Sequence, residues 1–352
     1  MLSEKHSERR KGKRVKSTRD NIASNQSIDT LFEYYCETKI AEGRAVKTIE
    51  KYRLIYGNFC KYLDGHEIGR LVENIDIELI RKYVSWLLHD YVQFEHHKFK
   101  PDYAKKIGLS PYTTNDYLKN LRSFFRFLIE EDKISNNPFE DVKNVKFTDS
   151  EIVVLTPEEL KRLLDTPDKR SYAGFRDYVL MTFLIDTMTR INEALSLKVA
   201  DIDFVNNTIN VRAIVAKNRK SRIVPFQKNT AKLLKELIKE TEEFENEYLF
   251  LANYGERLTP NHFRNQLRRH YVKKANITKR VHPHLFRHTG ATLYLESGGD
   301  IRHLQLLLGH ADLRMVMRYT HLSNKALQEQ HEKYSPMNQV VGKLNKSRKI
   351  KR

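Results

Sequence analysis

The sequence contains little cysteine and no long apolar segment. Its two cysteines, Cys36 and Cys60, fall in amphipathic helical patterns without a Cys-x-x-Cys or Cys/His ligand spacing. This argues against a disulfide scaffold and predicts two buried thiols in a reducing compartment. No apolar run approaches the roughly 18 residues of a membrane helix, and the basic N-terminus lacks the apolar stretch of a secretory signal. We therefore expect a cytoplasmic protein that does not associate with membranes.

Acidic residues are outnumbered, and the excess of positive charge is concentrated at the two ends. The chain has 63 Lys and Arg against 45 Asp and Glu, a net charge of +18. Residues 1–20 hold eight basic and three acidic residues, and residues 341–352 hold six and none, so the ends carry +5 and +6 and leave +7 elsewhere. Basic tails bind polyanions by releasing counterions. This favours a nucleic-acid partner over a solubilising role or a membrane surface, since neither tail has an amphipathic apolar face.

The length of 352 residues predicts more than one domain. We expect a basic flexible tail over residues 1–26, a helical domain over 27–145, a second domain over 150–335 and a basic tail over 336–352. Four amphipathic helical patterns fill the first domain, and Ser27 is placed to cap the first of them. Nothing in this domain brings acids, bases and nucleophiles together, so binding is its expected role.

The second domain combines helical patterns with one short β pattern. In LTPEELKRLL, Thr156, Pro157 and Glu159 predict a capped helix start. Alternating apolar residues from Ile209 to Val215, followed by a polar turn and SRIVPF, predict a β-hairpin. The predicted fold class is therefore mainly α with a small antiparallel β-sheet.

Several side chains of the second domain could bind phosphate or do chemistry. Arg190 follows a helix break, Lys217 lies near the hairpin tip, and His284 and Arg287 are three residues apart on a predicted helix. Gly309 predicts a left-handed helix stop before His310, and Tyr319 falls about two and a half turns along the final predicted helix. Each of these residues has an ordinary alternative explanation. Arg190 could form a surface ion pair with Glu193, and Lys217 could simply be solvated. The histidines of HPHLFRH could bind a metal, and the segment with Tyr319 could be a packing helix.

The order of these residues resembles the tyrosine recombinase (phage integrase) family. The four segments that carry the resemblance are TMTRINEAL, AKNRKSRIVPF, HPHLFRHTGATLYL and LLLGHADLRMVMRYTHL. The resemblance covers roughly residues 27–335. It implies a SAM-like helical core-DNA-binding domain followed by an α+β catalytic domain. The chain departs from the family at Met188, where a glycine usually stands two residues before the first arginine, and at Asn218, where a glycine usually follows the lysine.

The resemblance implies a role for each matching residue. Arg190 and Arg287 would neutralise the phosphodiester oxygens, with Glu193 supporting Arg190. His284 would act as general base or hydrogen-bond the phosphate, and His310 would donate a hydrogen bond to it. Lys217 would be the general acid for the departing 5′ oxygen, and Tyr319 would be the nucleophile that forms a covalent 3′-phosphotyrosine. No cofactor is expected, neither magnesium nor ATP, and the sequence has no GxxxxGK[ST] loop.

The implied function is site-specific recombination of double-stranded DNA by a homotetramer on two DNA sites. The basic N-terminal tail favours integration, excision or transposition of a mobile element, assisted by accessory excision or transposition factors. The alternatives are a chromosome-dimer-resolving recombinase of the same family, a type IB topoisomerase-like enzyme, a catalytically silent DNA-binding protein and a metal-dependent nuclease.

Overall fold

A computed structural model describes residues 26–93, 95, 105–148, 153–216, 220–319 and 331–340. The chain divides into two compact units, Met1–Asp149 and Ser150–Arg352. Residues 1–25 and 341–352, which contain most of the two predicted tails, lie outside the described residues, as does Lys217. Among the residues that are described, no helix is long and apolar enough to cross a membrane.

The first unit is a helical bundle with an aromatic core. Its helices are α1 (Ile28–Ala41), α2 (Val46–Gly65), α3 (Ile77–His89) and α4 (Pro111–Glu130), with a 3₁₀ turn at Val72–Asn74. Helix α1 begins as predicted, because the Ser27 side chain accepts a hydrogen bond from the Asp29 N–H at 3.2 Å. The core contains Phe59, Tyr83, Phe124 and Phe125, each at most 1% exposed. Cys36 and Cys60 are both buried, as predicted.

The second unit contains short helices around a small sheet. Its helices are α5 (Pro157–Leu164), α6 (Tyr172–Thr187), α7 (Ile191–Ala194), α8 (Lys228–Thr241), α9 (Pro260–Gln266), α10 (Val272–Lys274), α11 (Pro283–Glu296), α12 (Ile301–Leu308), α13 (Arg314–Met317) and α14 (Met337–Val340). A π-helical turn, Leu267–Tyr271, joins α9 to α10. The predicted capping box of α5 is confirmed, since the Thr156 and Glu159 side chains each accept the other residue's N–H, at 3.2 and 2.9 Å.

The sheet has three antiparallel strands in the order β1 (Ile202–Asp203), β2 (Thr208–Val211) and β3 (Arg222–Pro225). Ile209 pairs with Val224, and both are fully buried, so one face of the predicted hairpin packs into the core. The prediction that β2 continues to Val215 was wrong. The chain turns after Val211, where the N–H groups of Val215 and Ala216 both donate to the Arg212 carbonyl.

Candidate active site

The loop before the first arginine depends on an unusual helix end. Helix α6 stops at Met188, which has left-handed dihedrals, φ 52° and ψ 23°. Only glycine adopts this conformation without steric strain, and strain of about 1 kcal/mol or more is expected for methionine. The Met188 carbonyl accepts a hydrogen bond from Arg287 Nη1 at 2.7 Å. The departure from the family pattern at Met188 thus falls where the structure requires a left-handed residue.

Arg190 begins α7 and is held by a buried carboxylate. Glu193 is 1% exposed, and its two oxygens accept from the Arg190 backbone N–H at 3.0 Å and from Arg190 Nη1 at 2.9 Å. Arg222 of β3 also donates to both oxygens, at 3.3 and 2.7 Å. Burial alone would raise the pKa of Glu193, but the hydrogen bonds and charges of Arg222 and Arg190 outweigh it and lower the pKa. The acid is therefore ionised, and its role in supporting Arg190 has a geometric basis.

Arg287 on α11 is almost completely buried, with 4% of its surface exposed. Besides Met188, its guanidinium donates to the Leu308 carbonyl at 2.7 Å and to His310 Nε2 at 2.9 Å. These three hydrogen bonds leave Nε–H and one Nη1–H unused by the described part of the chain. Burial, and then the positive charge of Arg190, lower the pKa of Arg287 to about 9. A bound anion would offset both effects, so this position favours a negatively charged ligand.

His310 follows the predicted left-handed stop, which is confirmed at Gly309 with φ 61°. Because His310 Nε2 accepts from Arg287, its proton must lie on Nδ1. Nδ1 is buried and has no hydrogen-bond partner among the described residues. Burial and the charge of Arg287 lower the pKa of His310 to about 4, so the ring is neutral near neutral pH. His310 can therefore donate one hydrogen bond to a ligand.

Arg222 connects the hairpin to the turn that carries His310. Its Nε donates to the Leu307 carbonyl at 3.1 Å, while its terminal nitrogens bind Glu193. A Cβ atom added at Gly309 would lie 2.9 Å from Arg222 Cδ. Glycine is thus required at this turn both for its left-handed backbone and for the close approach of Arg222.

Tyr319 is placed differently from the prediction. The final helix is not continuous: α13 spans only Arg314–Met317, and Tyr319 lies in the turn beyond it, where its N–H donates to Val316 at 2.9 Å. The side chain is 6% exposed and packs in a small apolar cluster with Met188 and Val316. Its hydroxyl is 2.8 Å from Nδ1 of His288. Burial raises the pKa of Tyr319, while the positive charges of Arg287, Arg318 and Arg190 act in the opposite direction.

His284 lies at the edge of this site. It is on α11 with Arg287, but it is exposed and makes no hydrogen bond with the described residues. Partial desolvation, followed by the charges of His282, Arg287 and Arg190, lowers its pKa, which places it within electrostatic range of both arginines. In the described ranges, no group of three His, Cys, Asp or Glu side chains could hold a metal ion. The histidine row of HPHLFRH therefore has no complete ligand set there.

Comparison with known proteins agrees with the geometry. The phage integrase family matches residues 153–326, and the phage integrase SAM-like domain matches residues 28–147. Tyrosine recombinase XerC of Oceanobacillus iheyensis is 32% identical over 321 residues, which cover 88% of this chain and 95% of that protein. Tyrosine recombinase XerD of Listeria innocua is 31% identical over 240 residues, covering 66% and 80%. The chain belongs to the tyrosine recombinase family.

Solved tyrosine recombinases share this fold. The XerH site-specific recombinase bound to a palindromic difH substrate is 25% identical, with a TM-score of 0.64 over 87% of this chain and 84% of that one. The Tn1549 transposon integrase in complex with a circular intermediate DNA is 20% identical and shows the fold alone, with a TM-score of 0.67 over 86% and 99%. The predictions of fold class, of family and of a site-specific recombinase that breaks and rejoins DNA are confirmed.

Two residues of this recombinase's site were not predicted. Arg222 was visible only as part of the strand SRIVPF, and nothing in its local pattern indicated the contact with Glu193, 29 positions earlier. His288 stood beside Arg287 in HPHLFRH but was considered only as part of a metal-binding row. The structure brings Arg190, Glu193, Arg287, His310 and Tyr319 together, and it adds Arg222 and His288.

Proposed function

We propose that this recombinase cleaves double-stranded DNA with Tyr319 as the nucleophile. The phenol would attack a phosphodiester, form a covalent 3′-phosphotyrosine and release a 5′-hydroxyl. A 5′-hydroxyl of another strand then reverses the step, so strand exchange needs no ATP. The observation that carries the proposal is the buried Tyr319, which packs beside Met188, the residue whose carbonyl accepts a hydrogen bond from Arg287.

Charge neutralisation is the role of the two arginines and His310. Arg287 has two donors that no described residue uses, and the Arg190 side chain remains 21% exposed beyond its contact with Glu193. Guanidinium groups pair well with phosphate oxygens, and donors fixed before the reaction stabilise the charge that develops in the transition state. The Nδ1–H of His310, which has no partner among the described residues, supplies a further donor.

The remaining roles follow the family pattern. Lys217 is proposed as the general acid that protonates the departing 5′ oxygen, and His284 as a general base or a phosphate ligand from the exposed side of α11. The proposed reaction uses no cofactor, neither metal nor nucleotide. Residues 27–145 would contact the core DNA as a SAM-like domain and residues 150–335 would hold the catalytic site, with the basic tails adding phosphate contacts.

The assembly and the biological role are part of the same proposal. We place the protein in the cytoplasm as a homotetramer on two DNA sites, acting in integration, excision or transposition of a mobile element with accessory factors. The net charge of +18 supports extensive phosphate contact. Chromosome-dimer resolution by a recombinase of the same family is the second candidate. Flanking repeats or an adjacent excision factor beside the coding sequence would decide for the mobile element.

A suicide substrate tests the chemistry. A binding site is first selected from random duplexes with the full-length protein, and a nick is then placed beside the cleavage position so that the adduct is trapped. We expect a covalent protein–DNA adduct that forms in EDTA and is lost in Tyr319→Phe. Tyr254→Phe is the matched control, because Tyr254 is a 69% exposed tyrosine of the same unit. An adduct that survives in Tyr319→Phe would refute the assignment.

Arg287→Ala tests the charge clamp with the same substrate. Loss of a preorganised donor to the transition state typically costs about 10²–10³-fold in rate. We expect adduct formation to slow by that factor while binding to the uncleaved duplex persists, because most phosphate contacts lie elsewhere. Equal losses of binding and cleavage would instead make Arg287 a binding residue.

A further inference from the structure

We infer that His288 is the general base of the cleavage step and accepts the phenolic proton of Tyr319 at Nδ1. The inference rests on the proposed function, because it requires Tyr319 to be the nucleophile. It assigns a chemical role to the histidine that directly follows Arg287, to which the family resemblance gave none. Of the two roles proposed above for His284, this inference leaves that of phosphate ligand.

The geometry provides a direct contact with the reacting atom. His288 Nδ1 lies 2.8 Å from Tyr319 Oη, within the range for proton transfer, and the two rings are 5.6 Å apart at their centroids. No other hydrogen bond to the Tyr319 hydroxyl is formed within the described ranges. His288 is also fixed on α11, one residue from Arg287, so the base and a phosphate ligand share one helix. Their relative position is therefore set by helical geometry and not by a loop.

The protonation states of the two groups allow the phenol to donate this hydrogen bond to the imidazole. Burial lowers the pKa of His288 to about 4, and the charges of His284, His282, Arg287 and Arg318 act in the same direction. The pKa of Tyr319 is raised, again chiefly by burial. Near neutral pH the imidazole is therefore neutral and the phenol protonated. In the tautomer that carries its proton on Nε2, His288 accepts a hydrogen bond from Oη–H at Nδ1. This is the arrangement that a base requires before the reaction.

Binding of DNA would make His288 a better base. A phosphodiester held by Arg190 and Arg287 brings a negative charge close to the imidazole, and a nearby opposite charge favours the protonated form. The pKa of His288 then moves up towards the working pH, where proton transfer is most effective. Without DNA, the same surroundings keep Tyr319 protonated and unreactive.

The proton balance of the step is complete. As the bond from Oη to phosphorus forms, the phenolic proton passes to Nδ1 of His288. The bond from phosphorus to the 5′ oxygen breaks, and the leaving oxygen takes a proton from the general acid, proposed above as Lys217. In religation the imidazolium of His288 returns its proton to the departing Tyr319 oxygen. No oxidant, metal or other reactant is needed.

His284 provides a built-in comparison, since it lies one turn earlier on the same helix. It is exposed and forms no hydrogen bond with the described residues. The alternative role for His288 is structural, in which its hydrogen bond merely holds Tyr319 in the apolar cluster. An experiment must therefore separate loss of a base from loss of a hydrogen-bond acceptor.

His288→Asn is the informative variant, because the asparagine side chain can place an oxygen acceptor near the former Nδ1 but cannot take a proton. With the full-length protein and the suicide substrate in single turnover, we expect cleavage to slow by about 10²–10⁴-fold, the usual contribution of general base catalysis. Replacing Tyr319 by 3,5-difluorotyrosine, whose phenol is more acidic, should restore part of the rate in His288→Asn and change the rate of the otherwise unaltered protein much less. The His284→Asn variant, which does not touch Oη, should show no such selective rescue.

The outcomes separate the two levels of the proposal. If Tyr319→Phe still forms the adduct, the proposed function fails. If Tyr319→Phe is inactive but His288→Asn cleaves at the unaltered rate, or if fluorination rescues His288→Asn and His284→Asn equally, the proposed function stands and the base assignment is overturned. His288→Gln provides a second test should His288→Asn lower the thermal midpoint, with the same rescue expected from fluorination.

Discussion

The two units of this recombinase bury different kinds of groups. In the first unit the core is aromatic, and ion pairs such as Arg53 with Glu33 are at the surface, with side chains 48% and 52% exposed. In the second unit Glu193 and Arg287 are only 1% and 4% exposed, and a further ion pair, Arg176 with Asp177, has both side chains 1% exposed. Burying charge opposes folding unless each group is paired. In the second unit the buried charged groups are paired or hydrogen-bonded, and these contacts hold them in fixed positions.

The buried charges of the second unit are consistent with its holding the candidate active site. A unit that only contacts DNA can place its charges in solvent, where side chains adapt to the phosphate backbone. A unit that stabilises a transition state needs its donors fixed beforehand in a site of low dielectric constant. The buried Glu193, held between Arg190 and Arg222, meets that need. The comparison predicts that equivalent substitutions will have unequal effects in the two units.

Glu193→Gln should have the largest effect on folding. It removes the negative charge between two arginines, and breaking a buried ion pair from one side typically destabilises by about 3–5 kcal/mol. Circular dichroism of the whole chain and fluorescence of Trp86, the only tryptophan in the sequence, can be followed together. Because Trp86 lies in the first unit, we expect the dichroism transition to shift and the fluorescence transition to stay. If Glu193→Gln lowers the unfolding free energy by less than about 1 kcal/mol, the buried ion pair stabilises the protein no more than a surface ion pair does.

The same substitution has a pH signature. The folded-state pKa of Glu193 is lowered, so its contribution to stability is fully present above the ordinary carboxyl pKa of about 4.3 and is lost as the pH falls through the folded value. The difference in unfolding free energy between the unaltered protein and Glu193→Gln should therefore shrink below about pH 4. A constant difference down to pH 3 would contradict the lowered pKa.

Substitutions of Met188 should change stability by an intermediate amount, and the glycine variant should be more stable than the alanine variant. Both Met188→Ala and Met188→Gly lose a buried side chain, so each should be less stable than the unaltered protein. At an ordinary helical position alanine is the more stable of the two by about 1 kcal/mol. At the left-handed Met188 we expect glycine to be more stable than alanine by about 1 kcal/mol. Denaturant unfolding of the two variants measures which of them is more stable. If Met188→Ala is the more stable, the backbone at Met188 is not strained.

Glu33→Gln should have the smallest effect and is the matched control for Glu193→Gln. It also removes one carboxylate from an arginine pair, with distances of 2.6 and 2.7 Å to Arg53. Since both side chains are about half exposed, we expect a change within about 0.5 kcal/mol in the Trp86 fluorescence transition. If Glu33→Gln lowers the unfolding free energy as much as Glu193→Gln does, the two units do not differ in how strongly their ion pairs stabilise them.

Local features were predictable from the sequence because neighbouring residues determine them. The capping box of Thr156 and Glu159 and the left-handed stop at Gly309 both satisfy backbone groups within a few residues. The hairpin was visible in its alternating pattern, although β2 ends earlier than predicted. The five predicted site residues that come together were found through the order of the family's segments.

Tertiary features were not predictable in the same way. The apolar spacing around Val316 and Met317 suits a helix, yet Val316 alone is buried there, and the helix ends before Tyr319. Arg222 reaches the Leu307 carbonyl 85 positions later, a distance that no local pattern encodes. His288 likewise meets Tyr319 across 31 positions. Such contacts depend on how α11, α12 and β3 pack.

The hydrogen bond from Arg287 to the carbonyl of Met188 bears on which amino acids position 188 can hold. The acceptor belongs to the main chain, so every amino acid at position 188 would offer the same oxygen. The residue at this position therefore matters for its backbone conformation and for the fit of its side chain beside Tyr319, and not as a hydrogen-bond acceptor. A glycine at position 188 would therefore keep the contact with Arg287, while the stability of the protein would depend on the side chain that is lost.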